Sequence, residues 1–235
     1  MDSALSVVIP YCRRPELVQT IVEGLVPAVG EALFDIVVVE CGPPDDATRS
    51  LLQNIPTKHS ISWFMIDTPF NKSLAINVGV SETASDLLML LDADVLVSRD
   101  FIDHALLTVA DGRVCCLGEV TESLAPDRVR SAPGTIVLTR RDFIAVDGMN
   151  SNLKGWGFDD LDFLLRLRVG GVRIDRYGSG VHITHGDEVR DLLPGLTKWE
   201  SDSLNRGRSH AGIIRGDIFG TYAQDVAEWG SGVVP

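Results

Sequence analysis

Apolar residues along the chain come in short, nearly unbroken runs: Leu5-Ser6-Val7-Val8-Ile9, Asp35-Ile36-Val37-Val38-Val39-Glu40, residues 61–66 and Leu87-Leu88-Met89-Leu90-Leu91. Runs of this length and continuity predict strands buried on both faces of a parallel sheet. Between them the spacing turns helical. Leu17, Val18, Ile21, Val22 and Leu25 share a face after Pro15, and a further helix is predicted over residues 74–83. Strands alternating with helices predict an α/β fold, a doubly wound and mostly parallel central sheet flanked by helices. Beyond Asp100 the pattern predicts a helix through His104 to Val109, a short strand over 114–117, a polar loop over 119–132 and a strand over 134–138. Leu161, Leu164, Leu165 and Leu167 then recur at helical spacing before Gly170-Gly171. After Pro194 the sequence is mixed and polar.

The 235 residues suffice for one large α/β domain, taken as 1–195, with 196–235 as a C-terminal extension packed on it. A formal charge of -12 argues against a generic nucleic-acid or anionic-membrane surface, so a phosphate-bearing ligand requires local Lys and Arg or a divalent cation. No apolar stretch approaches the length needed to cross a bilayer, and Met1-Asp2-Ser3-Ala4 has no basic leader. Cys12, Cys41, Cys115 and Cys116 lack paired metal-finger spacing and read as reduced residues of a cytoplasmic protein.

The strand over residues 87–91 runs into Asp92-Ala93-Asp94, an Asp-x-Asp pair at its C-terminal end, where open α/β sheets bind ligands. Residues two apart lie on the same face of a regular strand. A turn at this point lets one carboxylate reach a hard cation such as Mg²⁺ or Mn²⁺ while the other takes a hydroxyl or metal-bound water. The competing account is a loop with a helix cap at Ser98 or Asp100.

Three further stretches follow in order: Phe70-Asn71-Lys72-Ser73-Leu74-Ala75-Ile76-Asn77-Val78-Gly79, Gly155-Trp156-Gly157-Phe158-Asp159-Asp160 and His182-Ile183-Thr184-His185. With the acidic pair they resemble the GT-A-fold glycosyltransferases, in particular the beta-1,4-galactosyltransferase and chondroitin-synthase-like branch related to glycosyltransferase family two. The resemblance runs from about Leu5 to about His185. It implies that Pro10, Arg13 and Arg14 belong to the nucleotide-binding loop and that Glu40 stands where the family carries an Asp at the nucleobase. It implies Lys72 near the diphosphate, Asp92 near the ribose or sugar, and Gly134 and Trp156 with Gly157 around the sugar. Asp159 would bind donor or acceptor hydroxyls, and Asp160 would be the catalytic base. Asp94 and His185, with His182, would hold Mn²⁺ or Mg²⁺; the histidines tilt the choice toward Mn²⁺. Asn77 holds a loop. Helix-dipole stabilisation of Asp160 predicts an ionised but weak base, and Asp162 is set to pair with Arg166 one turn on.

The function so implied is a metal-dependent, inverting transfer of a hexose or N-acetylhexosamine from a nucleotide diphosphate sugar, a UDP-sugar first, to a hydroxyl of a carbohydrate, peptide or small molecule. Two alternatives remain: a sugar-phosphate nucleotidyltransferase, which wants a Gly-rich basic loop that is missing after Pro10, and a nucleotide-sugar-binding protein without turnover. Oligomeric state, base, sugar and acceptor stay open.

Overall fold

A computed structural model describes residues 5–30, 32, 34–186 and 193–230. Strand β1 (Leu5–Tyr11) is buried along its whole length. It runs parallel to β2 (Phe34–Cys41) on one side and to β4 (Leu87–Leu90) on the other, and β3 (Ser60–Ile66) extends the parallel half beyond β2. Next to β4 the direction changes. Antiparallel β8 (Ile136–Thr139) leads to β6 (Val114–Glu122), then β9 (Ile174–His182) and the two-residue β5 (Val95–Leu96), giving the order β3-β2-β1-β4-β8-β6-β9-β5. Most paired residues lie in parallel ladders, so the expected mostly parallel sheet is observed.

Alternate side chains of the parallel strands feed two cores. Val7, Ile9, Ile36 and Val38 face Leu17, Ile21, Leu25 and Phe101, while Val8, Val37 and Val39 face the helix over residues 72–81 and its neighbours. The first face is covered by one continuous helical stretch: α1 (Glu16–Gln19), a π-helical segment over Thr20–Leu25 and α2 (Val26–Val29). With it lie α3 (Asp46–Gln53) and α5 (Arg99–Ala110). The second face carries α4 (Lys72–Ser81), α6 (Arg140–Ala145) and α7 (Asp159–Val169).

One expectation needs correction. The polar loop anticipated over 119–132 is a hairpin, β6 turning into β7 (Ala125–Ser131). Its polar side chains reflect an edge ribbon with an exposed outer strand, which apolar runs cannot reveal. The polar segment after Pro194 forms α8 (Lys198–Ile214), opened by a Thr197/Glu200 capping box, and α9 (Tyr222–Trp229) packed on α4. No helix among the described residues is long and apolar enough to cross a membrane. None of the four cysteines forms a disulfide.

Candidate active site

Asp92-Ala93-Asp94 leaves β4 in a turn, closed by the Val95 N–H donating to the Asp92 carbonyl. Buried Thr20, in the π-helical segment, donates its hydroxyl to the Ala93 carbonyl at 2.9 Å and fixes that turn from below. Past it, β5 pairs Val95 with His182 of β9, and the Ile183 N–H donates to the Asp94 carbonyl. Backbone pairing thus brings Asp94 against the His182-Ile183-Thr184-His185 stretch. Asp94 Oδ2 lies 3.1 Å from His185 Nε2 and 3.7 Å from His182 Nε2, and the three potential ligand atoms fall within 4.8 Å of one another. His182 closes β9 and His185 lies beyond the strand, which allows residues three apart to converge.

Each ring is oriented by its other nitrogen. His182 Nδ1 meets Glu122 Oε2 at 2.6 Å, and His185 Nδ1 meets the Gly186 carbonyl at 2.9 Å, so both Nε2 atoms turn toward Asp94. Glu122 is the residue that pattern reading missed. It lies opposite His182 in the β6–β9 ladder, and its second oxygen accepts from Arg130 Nε at 2.8 Å. Burial opposes its ionisation, yet the bonds from Arg130 and His182 bring the carboxyl down to about 2. Asp94 is likewise disfavoured by burial but held well below the usual carboxylate range by His182 and His185, with Arg14 adding its charge. Burial lowers the His182 pKa, but Asp94 and Glu122 outweigh it and the net shift is upward. Two imidazole nitrogens and a carboxylate oxygen, backed by an outer carboxylate, suit a borderline divalent cation.

Beside this triad stands a second cluster. Lys72 Nζ, at the start of α4, lies 2.6 Å from Asp92 Oδ1 and 2.7 Å from Asp160 Oδ1. Asn71 caps α4 by accepting from the Leu74 N–H, and its amide donates to the Ser151 carbonyl. Gly134 roofs the three: a Cβ there would stand 2.7 Å from Lys72 Nζ and 2.9 Å from Asp160 Oδ2, and closer still to Asp92. Gly134 lies in the turn before β8, and a larger residue there would push these side-chain ends aside. Burial pulls the Lys72 pKa down, but Asp160 and Asp92 raise it well above the ordinary lysine value.

Asp160 departs from expectation. Burial pushes its carboxyl up to about 7, Lys72 opposes this, and Asp159 and Asp92 add to it. The helix dipole does not hold it low, because desolvation beside two like charges is the stronger effect. Asp159 is raised as well, first by burial.

The loop before this pair is bent through Gly155, Gly157 and Phe158, all in the left-handed region. Helix α8 grips it: Ser201 donates to the Trp156 carbonyl at 2.7 Å, and Asn205 donates to the Lys154 and Gly157 carbonyls at 3.1 and 2.9 Å. Asn77 accepts from the Met149 N–H and donates to the Met149 carbonyl and to Asp225, so it holds the preceding loop as expected.

Of the residues after β1, Arg14 reaches the site, since its charge acts on Asp94 and its Nη1 is buried without a partner among the described residues. Arg13 is exposed with φ +47°, and its charge acts on Asp45. Pro10 is buried within β1 opposite Val39. Glu40 is fully enclosed, and its carboxylate accepts from the Asp45 N–H at 2.7 Å, Trp63 Nε1 at 2.9 Å and Arg49 at 3.4 Å. These bonds tie it to the loop after β2.

With this geometry in hand, comparison with known proteins is decisive. The sequence model of glycosyl transferase family 2 matches residues 6–148, more than half of the chain. The chain belongs to glycosyl transferase family 2. The model for the N-terminal domain of galactosyltransferase matches residues 127–188, which hold Asp159, Asp160 and both histidines of the triad. A Caenorhabditis elegans xylosylprotein 4-beta-galactosyltransferase is 24% identical over 152 residues, 60% of this chain and 52% of that protein. The chain thus spans about half the length of this relative. Among solved structures, the catalytic domain of Drosophila beta1,4galactosyltransferase 7 with xylobiose superposes with a TM-score of 0.59 at 18% identity, over 87% of this chain and 79% of that one. A mutant of it has been solved with manganese, UDP-Gal and xylobiose, with the same TM-score at 17% identity and the same coverage. GalNAc-T7 with UDP, GalNAc and Mn²⁺ reaches 0.66 at 14% identity, over 89% of this chain and 48% of that one. The GT-A fold expected from the motifs is therefore the fold observed.

Proposed function

We propose that the chain transfers a hexose or N-acetylhexosamine from a UDP-sugar to an acceptor hydroxyl, with inversion at the anomeric carbon. The carrying observation is the meeting of Asp94, His182 and His185 beside the Lys72, Asp92 and Asp160 cluster at the C-terminal edge of β4. Asp94 with His185 and His182 would hold Mn²⁺, or Mg²⁺ less readily given two nitrogen donors. A divalent cation there would offset the diphosphate's negative charge. Lys72 and Arg14 supply fixed positive charge for the same group.

Asp160 accepts the proton of the acceptor hydroxyl as that oxygen bonds to the anomeric carbon and the nucleoside diphosphate leaves. A carboxyl near pH 7 is a better base than an ordinary one. Asp92 and Asp159 would bind sugar hydroxyls, with Trp156 and Gly157 over the sugar and Gly134 lining its floor. Pro10 and Arg13 would contribute through the loop after β1. The division into 1–195 and a packed extension over 196–235 is part of the reading, supported by the grip of α8 and α9 on the loops at 149–157. So is a cytoplasmic location, for which four cysteines outside any disulfide suit a reducing compartment.

Calorimetric titration with UDP, GDP and dTDP, each with Mn²⁺ and with EDTA, followed by transfer assays from UDP-Gal, UDP-GlcNAc and UDP-GalNAc to xylobiose and other acceptors, tests the proposal. UDP binding that requires Mn²⁺, with transfer from one donor, is the expected outcome. Metal-independent binding would sink the cation's role, and metal-dependent binding without transfer would leave a nucleotide-sugar-binding protein.

A further inference from the structure

Between α7, α8 and the loop over 150–153 lies a pocket of about 300 Å³, partly open to solvent, that includes none of the residues assigned above to metal, base or donor. Its lining includes Arg166, Ser209, Asn150, Asn152, Arg208 and Arg215. Two of these carry polar atoms sealed from solvent with no hydrogen-bond partner among the described residues, Arg166 Nη2 and Ser209 Oγ. Arg166 is 1% exposed and Ser209 3%. The rest of the Arg166 guanidinium is engaged: Nε donates to Asp162 at 2.9 Å, and Nη1 donates to the Val146 and Gly148 carbonyls at 3.1 and 2.6 Å. A guanidinium N–H and a hydroxyl left unmade in the wall of a pocket are costly, and a ligand oxygen that draws either side chain toward the pocket relieves that cost.

Charge and size narrow the class. Three arginines outnumber Asp162 and Asp217 in the lining, a locally positive site on a chain of net charge -12. The volume lies at the lower end of small-molecule sites, roughly 300–1,000 Å³. Guanidinium groups fit a carboxylate or phosphate, whereas the Asn150 and Asn152 amides and the Ser209 hydroxyl fit neutral hydroxyls. We propose that this cavity binds a small polyhydroxylated organic anion, its charged end toward the arginines and its hydroxyls toward the asparagines. Ser209 lies one turn along α8 from Asn205, which holds the Lys154 and Gly157 carbonyls, so occupancy stiffens the loop over 153–158.

Isothermal titration of the full chain with glucose 6-phosphate and with glucuronate tests this and separates the two kinds of anion; glucose and inorganic phosphate serve as one-ended controls. One of the anions is expected to bind at least tenfold more tightly than either control, with no change when UDP and Mn²⁺ are present, and to slow hydrogen exchange over 153–158. Gly212 also lines the cavity, and a Cβ there meets Asp217 no closer than 3.7 Å. Gly212→Leu therefore fills the space without a backbone clash and should weaken binding at least tenfold with no fall in Tm, and the exposed Arg215→Ser should weaken it in the same direction. If neither anion outbinds the controls, the cavity holds water only and the proposal fails. Binding that survives Gly212→Leu or is displaced by UDP places the ligand elsewhere and overturns it equally.

Discussion

Asp160 carries the sharpest residue-scale predictions. Asp160→Asn keeps the shape and removes the proposed base, so turnover should fall on the order of a hundredfold or more while the Kd for UDP with Mn²⁺ stays within about threefold; near-normal turnover would remove it as the base. Its pKa of about 7 sets the pH profile. A base must be ionised, so kcat/KM, which reports the free enzyme, should rise as pH climbs through about 7, and a limb near pH 4 would contradict the burial argument. Stability runs the other way. The folded state binds this proton more tightly than the unfolded chain, so the group's stabilising contribution is complete at low pH and lost as pH rises toward 7. For Asp94→Asn, loss of a ligand oxygen should weaken Mn²⁺-dependent UDP binding by tenfold or more in calorimetry, and an unchanged metal titration would exclude it as a ligand.

At the scale of elements, the β6–β7 hairpin matters more than its sequence suggests. It carries Glu122 to His182, and the Ser123 turn is stitched to Thr184 by hydrogen bonds of 2.9 to 3.3 Å. Glu122→Gln removes the charge that fixes the His182 ring, and Mn²⁺ affinity should drop about 10- to 100-fold with the fold intact by circular dichroism. The sequence made the buried elements legible: β1 to β4 and α7 announce themselves because both faces of each strand, or one stripe of the helix, must be apolar. Glu122 was not legible, because an acidic residue ahead of a polar stretch looks like any solvated side chain until its partner 60 positions on is placed. The α8 helix hid for a related reason: its buried stripe of Ser201, Asn205, Ser209 and Gly212 is polar or small.

Across the whole molecule, order is carried by polar ties between distant segments. Buried Asp225 of α9 accepts from Asn77 at 2.6 Å, Ser151 at 2.8 Å and Thr221 at 2.9 Å, tying α4, the loop after α6 and the C-terminal helix into one body. Asp225→Ala strands these donors and should cost about 2–4 kcal/mol in denaturant unfolding. The Asp-x-Asp, Lys72 and histidine motifs could be read separately from the sequence. Their convergence was implied only by the family resemblance and not by the residues' own pattern, since it depends on Gly134 closing over Lys72 and on the β5–β9 register.

That register would make a bound cation a latch. Asp94 and the two histidines come from segments about ninety residues apart in sequence, joined by two residue pairs of β5 and β9 and by the Ile183 N–H on the Asp94 carbonyl. A slip by one residue would swing His182 to the opposite face, so only the correctly zipped ladder offers all three donors. Mn²⁺ at a hundredfold its Kd would then add about 2.7 kcal/mol to unfolding, visible as a higher Tm in scanning calorimetry, and selection for metal uptake would at the same time select the correct closure of the sheet's last edge.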